Sequence, residues 1–457
     1  VKRRALLRLG SSAGLCAATR GTGRAFAAVC GTGRASAVAL GVGRVLAAAS
    51  PKTVIIGAGW AGIATAHALT RGGAAAADVT VIDREPVFRA LPLSNAWLVG
   101  RTPLRLPAID LADLARRQGW RFVAGEVTAI DRAQRSVQTR TGHARDRHLP
   151  YDTLVLATGA AADHSAWFGD DARAIAHTRE RFAAGFETRE LQACRQRLEA
   201  FAASGGGTLV MTVPPPPYRC PPAPYERAAL IGWWIKARGL KAKLVLLDAG
   251  GGMQRFNRLF AQRYAAQIEH RLHAPVQRVD PFAQVVTTDD GDQHFDHALL
   301  LPPMHAGALV RDAGLAGRDA RGQATRWAAV HADTLRSPHD ERVVVIGDAM
   351  DSVSPLFGAY PKTAHIAADL GAAAAALLAA EPPRGNSQQL AALPRSQCHV
   401  WLDAEPPEQL QLDASFRRRG DGLIEQSVRQ IDNPQPRDED LVWARGVLVG
   451  RLGVVLG

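Results

Sequence analysis

The sequence predicts an α/β protein built on parallel sheets, and three observations carry that reading. A continuous apolar run, Thr53-Val54-Ile55-Ile56, ends in a glycine-rich turn and then a helical stretch. A second run, Val79-Thr80-Val81-Ile82, ends in an acid, Asp83. Two later runs, Thr153–Leu156 and Val343–Ile346, stop in the same way at glycine-bearing turns. Continuous rather than alternating apolar strands are buried on both faces, the mark of a parallel sheet covered by helices. The chain has 457 residues, 47% apolar and 21% charged. At ~150 residues per domain that length suggests about three structural units. Five cysteines in such a length exclude a disulfide-stapled mini-fold. No apolar run reaches the ~18 residues of a membrane span.

The net charge of +12 suggests a polyanion partner until it is located. Residues 1–50 hold Lys2, Arg3, Arg4, Arg8, Arg20, Arg24, Arg34 and Arg44 with no acid, which leaves +4 for the rest. Nucleic acid is therefore not an expected partner. Lys2-Arg3-Arg4-Ala5-Leu6-Leu7 and the small-residue stretch from Gly10 to Ala18 have the layout of a secretory signal. The paired arginines are similar to a twin-arginine export signal, the route of proteins that fold around a cofactor before crossing. The decads opened by Gly21, Gly31 and Gly41 each carry an arginine in a Gly/Ala-rich setting that weakens helix. Residues 1–50 are expected to be a disordered leader, with cleavage near Ala47-Ala48-Ala49, and the mature protein to be periplasmic.

Order begins at residue 52. Gly57-Ala58-Gly59-Trp60-Ala61-Gly62 is a GxGxxG turn between a strand and a helix. Gly57 permits the tight turn, Gly59 lets a pyrophosphate approach the backbone, and Gly62 lets helix and strand pack closely. Asp83, twenty-one residues after Gly62, stands where a ribose hydroxyl is bound. Strand, turn, helix, strand and terminal acid together specify a Rossmann-like dinucleotide-binding unit. Two further segments, Ala157-Thr158-Gly159 at the end of one strand and Gly347-Asp348 at the end of another, look like those with which two-dinucleotide-binding-domain flavoproteins close over FAD. That resemblance implies that Asp348 contacts the ribityl chain. It also implies that the helix beginning near Lys362-Thr363 points its positive end at the flavin pyrimidine.

A second strand–helix unit begins at Gly207–Val213, but no glycine loop follows. The chain runs instead through Pro214-Pro215-Pro216-Pro217-Tyr218-Arg219-Cys220-Pro221-Pro222-Ala223-Pro224-Tyr225-Glu226. Proline has no N–H to offer a phosphate, so NAD(P)H is not an expected ligand. Cys220 precedes a helix and follows an arginine, and both features are expected to lower its thiol pKa. The leader aside, Cys194, Cys220 and Cys398 remain and allow three pairings, with Cys194 in a helical pattern over 187–203 that suggests a buried thiol.

The glycine fingerprint, Leu93-Ser94-Asn95, the Cys220–Glu226 string, Gly347-Asp348-Ala349 and Pro361-Lys362 together resemble the flavoprotein subunit of flavocytochrome c sulfide dehydrogenase, related to the sulfide:quinone oxidoreductases. The resemblance runs from about residue 52 to beyond residue 400. It implies two Rossmann-like domains, the FAD domain (52–162 and 300–382) being split by the second (163–299). A C-terminal segment, 383–457, would lie at the flavin face. It further implies a redox disulfide between Cys220 and Cys398, a proton carrier at Glu226, sulfide as substrate and a c-type cytochrome as electron acceptor. The FAD contacts it implies fall on Gly57, Gly59, Gly62, Asp83, Ala157, Thr158, Gly159, Gly347, Asp348 and Lys362.

The chain departs from that pattern in places. Leu91 stands where some family members attach FAD through a cysteine, so FAD is expected to be non-covalent. The turn over 350–360 and the tail from 400 match poorly. No Cys-x-x-Cys-His, P-loop or zinc motif exists, so any haem belongs to another polypeptide and no metal site is expected. His294 and His297 are expected at the surface. Two alternatives stay open: a sulfide:quinone oxidoreductase, which needs an apolar quinone channel and an amphipathic membrane-docking tail, and a flavin-carrying subunit whose catalytic site has decayed.

Overall fold

The computed structural model describes residues 51–71, 78–102, 108–141, 147–380 and 390–455. The expected leader lies outside these residues.

The chain enters at β1 (Lys52–Ile56), turns into α1 (Trp60–Arg71) and returns in β2 (Asp78–Asp83). A short helix, α2 (Ser94–Leu98), precedes β3 (Arg121–Ala124) and β4 (Thr153–Leu156). The next layer is β5 (Gly206–Val213), α3 (Ala223–Ala237), β6 (Lys241–Asp248), β7 (Ile268–Arg271) and β8 (His297–Leu299). The chain then supplies β9 (Arg336–Ser337), β10 (Asp340–Val345) and α4 (Ala364–Ala379). It ends in three long strands, β11 (Arg395–Ala404), β12 (Pro407–Arg418) and β13 (Ile424–Asn433), and in α5 (Glu439–Leu452).

The first sheet has the order β9-β10-β4-β1-β2-β3 and is parallel except at its β9 edge. Its strands come from both sides of the second sheet in sequence. That second sheet, β7-β6-β5-β8, is wholly parallel. This is the predicted α/β class, with two Rossmann-like sheets. Ile55, Val81, Val155 and Leu156 of the first sheet have 0% exposure. Burying side chains of this size stabilises the fold by ~2 kcal/mol each.

Residue size decides how α1 and α4 pack. A side chain on Gly371 of α4 would meet the Ala61 carbonyl oxygen at 2.4 Å, so the backbones are nearly in contact. The Thr65 hydroxyl donates across that seam to the Gly371 carbonyl at 3.2 Å. The alanine-rich composition of α4 follows from this approach, since Ala367, Ala368 and Ala374 are buried against its neighbours.

The tail is an antiparallel sheet, β11-β12-β13, in which Cys398 of β11 stands opposite Leu412 of β12. The sequence predicts a C-terminal segment over 383–457 but not this sheet.

Candidate active site

Parallel register aligns the strand ends of the first sheet. Ile56 pairs with Ile82 and Leu156, and Leu156 with Val345. One edge therefore gathers Gly57, Asp83, the Ala157-Thr158-Gly159 turn and the Gly347-Asp348-Ala349 turn. Ligands of open α/β sheets bind at such an edge.

The three glycines of the first turn differ in role. Gly57 has φ +103°, and a side chain on it would lie 2.3 Å from the Ala157 carbonyl oxygen. One on Gly62 would lie 1.9 Å from the Gly57 carbonyl oxygen. These two are required by the protein's own backbone. A side chain on Gly59 meets nothing within 4 Å, so this position faces open space at the start of α1. Asp83 braces the loop: its Oδ2 accepts from Ala58 N at 2.6 Å and its Oδ1 from Glu85 N at 2.9 Å.

Lys362 is 3% exposed, and its ammonium donates to the carbonyls of Asp348 (2.8 Å) and Met350 (3.0 Å) above the Trp327 ring. It pins the turn that presents Asp348. Burial lowers its pKa to about 8, while Asp348 and Asp351 pull it back up. The Asp348 carboxylate faces Arg219 Nε at 3.5 Å, and the same guanidinium donates to Ala160 O at 2.5 Å.

The start of α4 organises both cysteines. Cys220 N donates to Lys362 O at 2.7 Å, immediately before α4. On β11, Ser396 Oγ lies 3.3 Å from the Thr363 hydroxyl that caps α4, and Gln397 N donates to His365 Nδ1 at 3.2 Å. Cys220 and Cys398 are thus brought to one helix terminus from distant parts of the chain. Both are free thiols here, and the charge on Cys220 helps to raise the pKa of Cys398. Cys220 has φ +51°, a left-handed conformation that a side chain adopts at some cost.

Glu226, in the first turn of α3, completes the group. Its Oε1 accepts from Trp401 N on β11 at 2.9 Å, and its Oε2 accepts from Asn95 Nδ2 on α2 at 2.6 Å. Burial raises its pKa to about 7 against the opposing effect of these two donors. Cys220, Cys398 and Glu226 each keep some accessible surface although they lie deep in the protein.

Residues 51–207 match the family model of pyridine nucleotide-disulphide oxidoreductases. Residues 191–302 match the central part of the sulfide dehydrogenase [flavocytochrome c] flavoprotein chain. The chain is an FAD-binding oxidoreductase. Among solved structures this oxidoreductase is similar to the sulfide:quinone oxidoreductase of the hyperthermophilic bacterium Aquifex aeolicus. That match has 18% identity and TM-score 0.69, and covers 89% of this chain and 93% of that one. A NAD-dependent persulfide reductase from A. fulgidus matches at 13% identity and TM-score 0.57, covering 87% and 77% of the two chains. The Bacillus anthracis CoADR-RHD matches at 15% and 0.59, covering 89% and 76%. At these identities the likeness is one of fold.

The site of the oxidoreductase fits FAD. Gly59 leaves open the approach that a pyrophosphate requires, and Asp348 and the α4 terminus sit on the same edge. When bound, FAD supplies a two-electron acceptor.

Two expectations are corrected. The Cys220 thiol is pushed up to about 12, not down: burial and the carboxylates of Glu226 and Asp348 outweigh Arg219. The helix start lies beyond the thiol, since α3 begins at Ala223 after Pro222. His297 is buried at 7% exposure, against Phe182 and Phe201, and burial lowers its pKa to about 4. It lies on a strand of the second sheet, where an apolar environment excludes the charged ring; His294 is exposed as expected. Cys194 is buried as expected, at 0% exposure.

Sequence reasoning missed Arg227 and the contacts of Asn95. Arg227 is 1% exposed, lies 4.0 Å from the Phe186 ring and donates its Nε to Asn95 Oδ1 at 2.9 Å. An arginine directly after the helix-opening Glu226 was the available signal.

Proposed function

We propose that the protein oxidises sulfide through a redox pair formed by Cys220 and Cys398, with Glu226 as base and FAD held non-covalently as electron acceptor. The carrying observation is that Cys220 and Cys398 are brought to the start of α4 with Glu226 within electrostatic reach of both. The match of residues 191–302 to a sulfide dehydrogenase flavoprotein chain supports the substrate. In the reactive state the two cysteines form a disulfide. Hydrogen sulfide attacks one sulfur while the Glu226 carboxylate takes one of its protons. The products are a cysteine persulfide, a cysteine thiolate and protonated Glu226; the disulfide is reduced and the sulfide sulfur oxidised. A thiol that binds its proton tightly leaves poorly, so the thiolate depends on neutralisation of Glu226 by the captured proton and on the positive α4 terminus. Leu91 carries no thiol, which supports non-covalent FAD. The FAD-binding parts are then 52–162 and 300–382, around a second unit at 163–299, with 383–457 bringing Cys398 to the flavin.

The second unit is ill suited to NAD(P)H. Pro214–Pro217 offers no N–H groups where β5 ends. Asp248 ends β6 as Asp83 ends β2, yet it is 1% exposed. Its oxygens accept from Tyr225 Oη (2.9 Å) and Gly250 N (2.8 Å), and His270 Nε2 lies at 3.1 Å, so the carboxylate is engaged by the protein rather than presented to a ribose. The electron acceptor in this reading is a c-type cytochrome in the periplasm, reached by twin-arginine export.

A quinone acceptor is the second reading, and α5 favours it. Leu441, Val442 and Val449 are exposed on that helix, followed by Val455. Among the described residues no helix is long and apolar enough to cross a membrane. Anaerobic sulfide should bleach the bound flavin, and Cys220→Ser should abolish the bleaching. Undiminished bleaching in that variant overturns the disulfide mechanism; turnover with decylquinone but not cytochrome c would select the second acceptor.

A further inference from the structure

The contacts of Asn95 assign it a task in the proposed reaction, a task that rests on that reading of the site. Asn95 is 4% exposed on α2 and touches two charged side chains at once. Its amide has two possible orientations, and Arg227 selects between them. The guanidinium can only donate, so the oxygen it meets at 2.9 Å must be Asn95 Oδ1. The amide nitrogen is thereby turned towards Glu226 Oε2 (2.6 Å) and the Ala223 carbonyl (3.0 Å), both acceptors. Arg227 is itself fixed, donating to the carbonyls of Ala184 and Gly185; among the described residues no carboxylate pairs with it. Asn95 is therefore locked as a donor to Glu226.

We propose that Asn95 is a positioning residue that favours the carboxylate form of Glu226, using Arg227 to fix the direction of its amide. A donor that cannot reverse stabilises the charged acceptor and opposes its protonation. The other groups facing Glu226 are Arg227 on its own helix, Cys220 ahead of that helix, Cys398 on β11 and Asp440 on α5. Asp440 accepts from Trp401 Nε1 at 3.2 Å and its charge favours protonation of Glu226, so it works against Asn95. Burial acts in the same sense as Asp440. The donors from Asn95 and Trp401 and the Arg227 charge act the other way.

The test uses FAD-loaded wild type, Asn95→Asp and Asn95→Leu, with anaerobic flavin reduction by sulfide followed from pH 5.5 to 9. Asn95→Asp keeps an oxygen for Arg227, and so keeps the structural contact, but replaces the donor with a repelling charge. The acid limb of its rate profile should move up by at least about one pH unit. At pH 6 that is roughly a tenfold slower reduction, with the alkaline plateau within about threefold of wild type. Asn95→Leu should shift the limb the same way. An unmoved limb in Asn95→Asp, with only thermal stability changed, overturns the proposal. If sulfide does not reduce the wild-type flavin, the sulfide reading fails separately. The inference is then read from the carboxyl infrared band lost in Glu226→Gln: an upward-shifted midpoint in Asn95→Asp sustains it, and an unmoved midpoint overturns it.

Discussion

Glu226 shows how a side chain acquires a chemistry that its residue type lacks in water. Burial lifts its pKa to about 7, two engaged oxygens fix its direction, and both thiols lie within its electrostatic reach. Its folded pKa is raised, so the carboxylate is lost as pH falls through about 7, and a base at this position works above that pH. Glu226→Gln should therefore slow sulfide-driven flavin reduction by about 10²-fold or more. It should also erase the part of the pH dependence that lies near 7. Sulfide's own ionisation appears in both enzymes, so the difference between their profiles belongs to Glu226. Stopped-flow profiles of the pair check this. At the same scale, the sign of the Cys220 shift was not legible in the sequence. The flanking arginine and helix could be read there, whereas burial and the distant Asp348 could not.

Elements place these residues. Strand, glycine turn and helix were legible at 52–71 because every determinant lies within twenty residues: an apolar run, three glycines and a helix-forming stretch. The structure separates the glycines by what they face. Gly62→Ala puts a methyl 1.9 Å from a carbonyl oxygen and should destabilise the fold by about 1–3 kcal/mol. Gly59→Val faces open space and should leave the apoprotein's thermal midpoint within a few degrees while removing FAD binding. Thermal melts and flavin content of the two variants check the contrast. Gly371→Val should force α1 and α4 apart and lower the melting midpoint of the holoprotein. The tail was poorly legible for the opposite reason. Its three strands are long and antiparallel, and β13 is largely exposed, so they lack the dense apolar runs that mark the parallel strands.

On the scale of the whole molecule, two parallel sheets and a C-terminal antiparallel sheet meet around the start of α4. That meeting could not be derived from spacing, since three cysteines allow three pairings and the sequence alone does not choose. The 220–398 pairing came from resemblance; the structure brings both cysteines, as free thiols, to that helix start, where Lys362 holds the Cys220 turn and Thr363 and His365 hold β11. Cys194 stands apart from this group, buried on a helix with its thiol 3.8 Å from the Ala184 carbonyl. Peptide mapping by mass spectrometry of the oxidised, unreduced protein tests the central claim most directly. The account predicts a single cross-linked pair joining the Cys220 and Cys398 peptides, with Cys194 alkylated as a free thiol. A bridge to Cys194, or both Cys220 and Cys398 still free after oxidation, would contradict it.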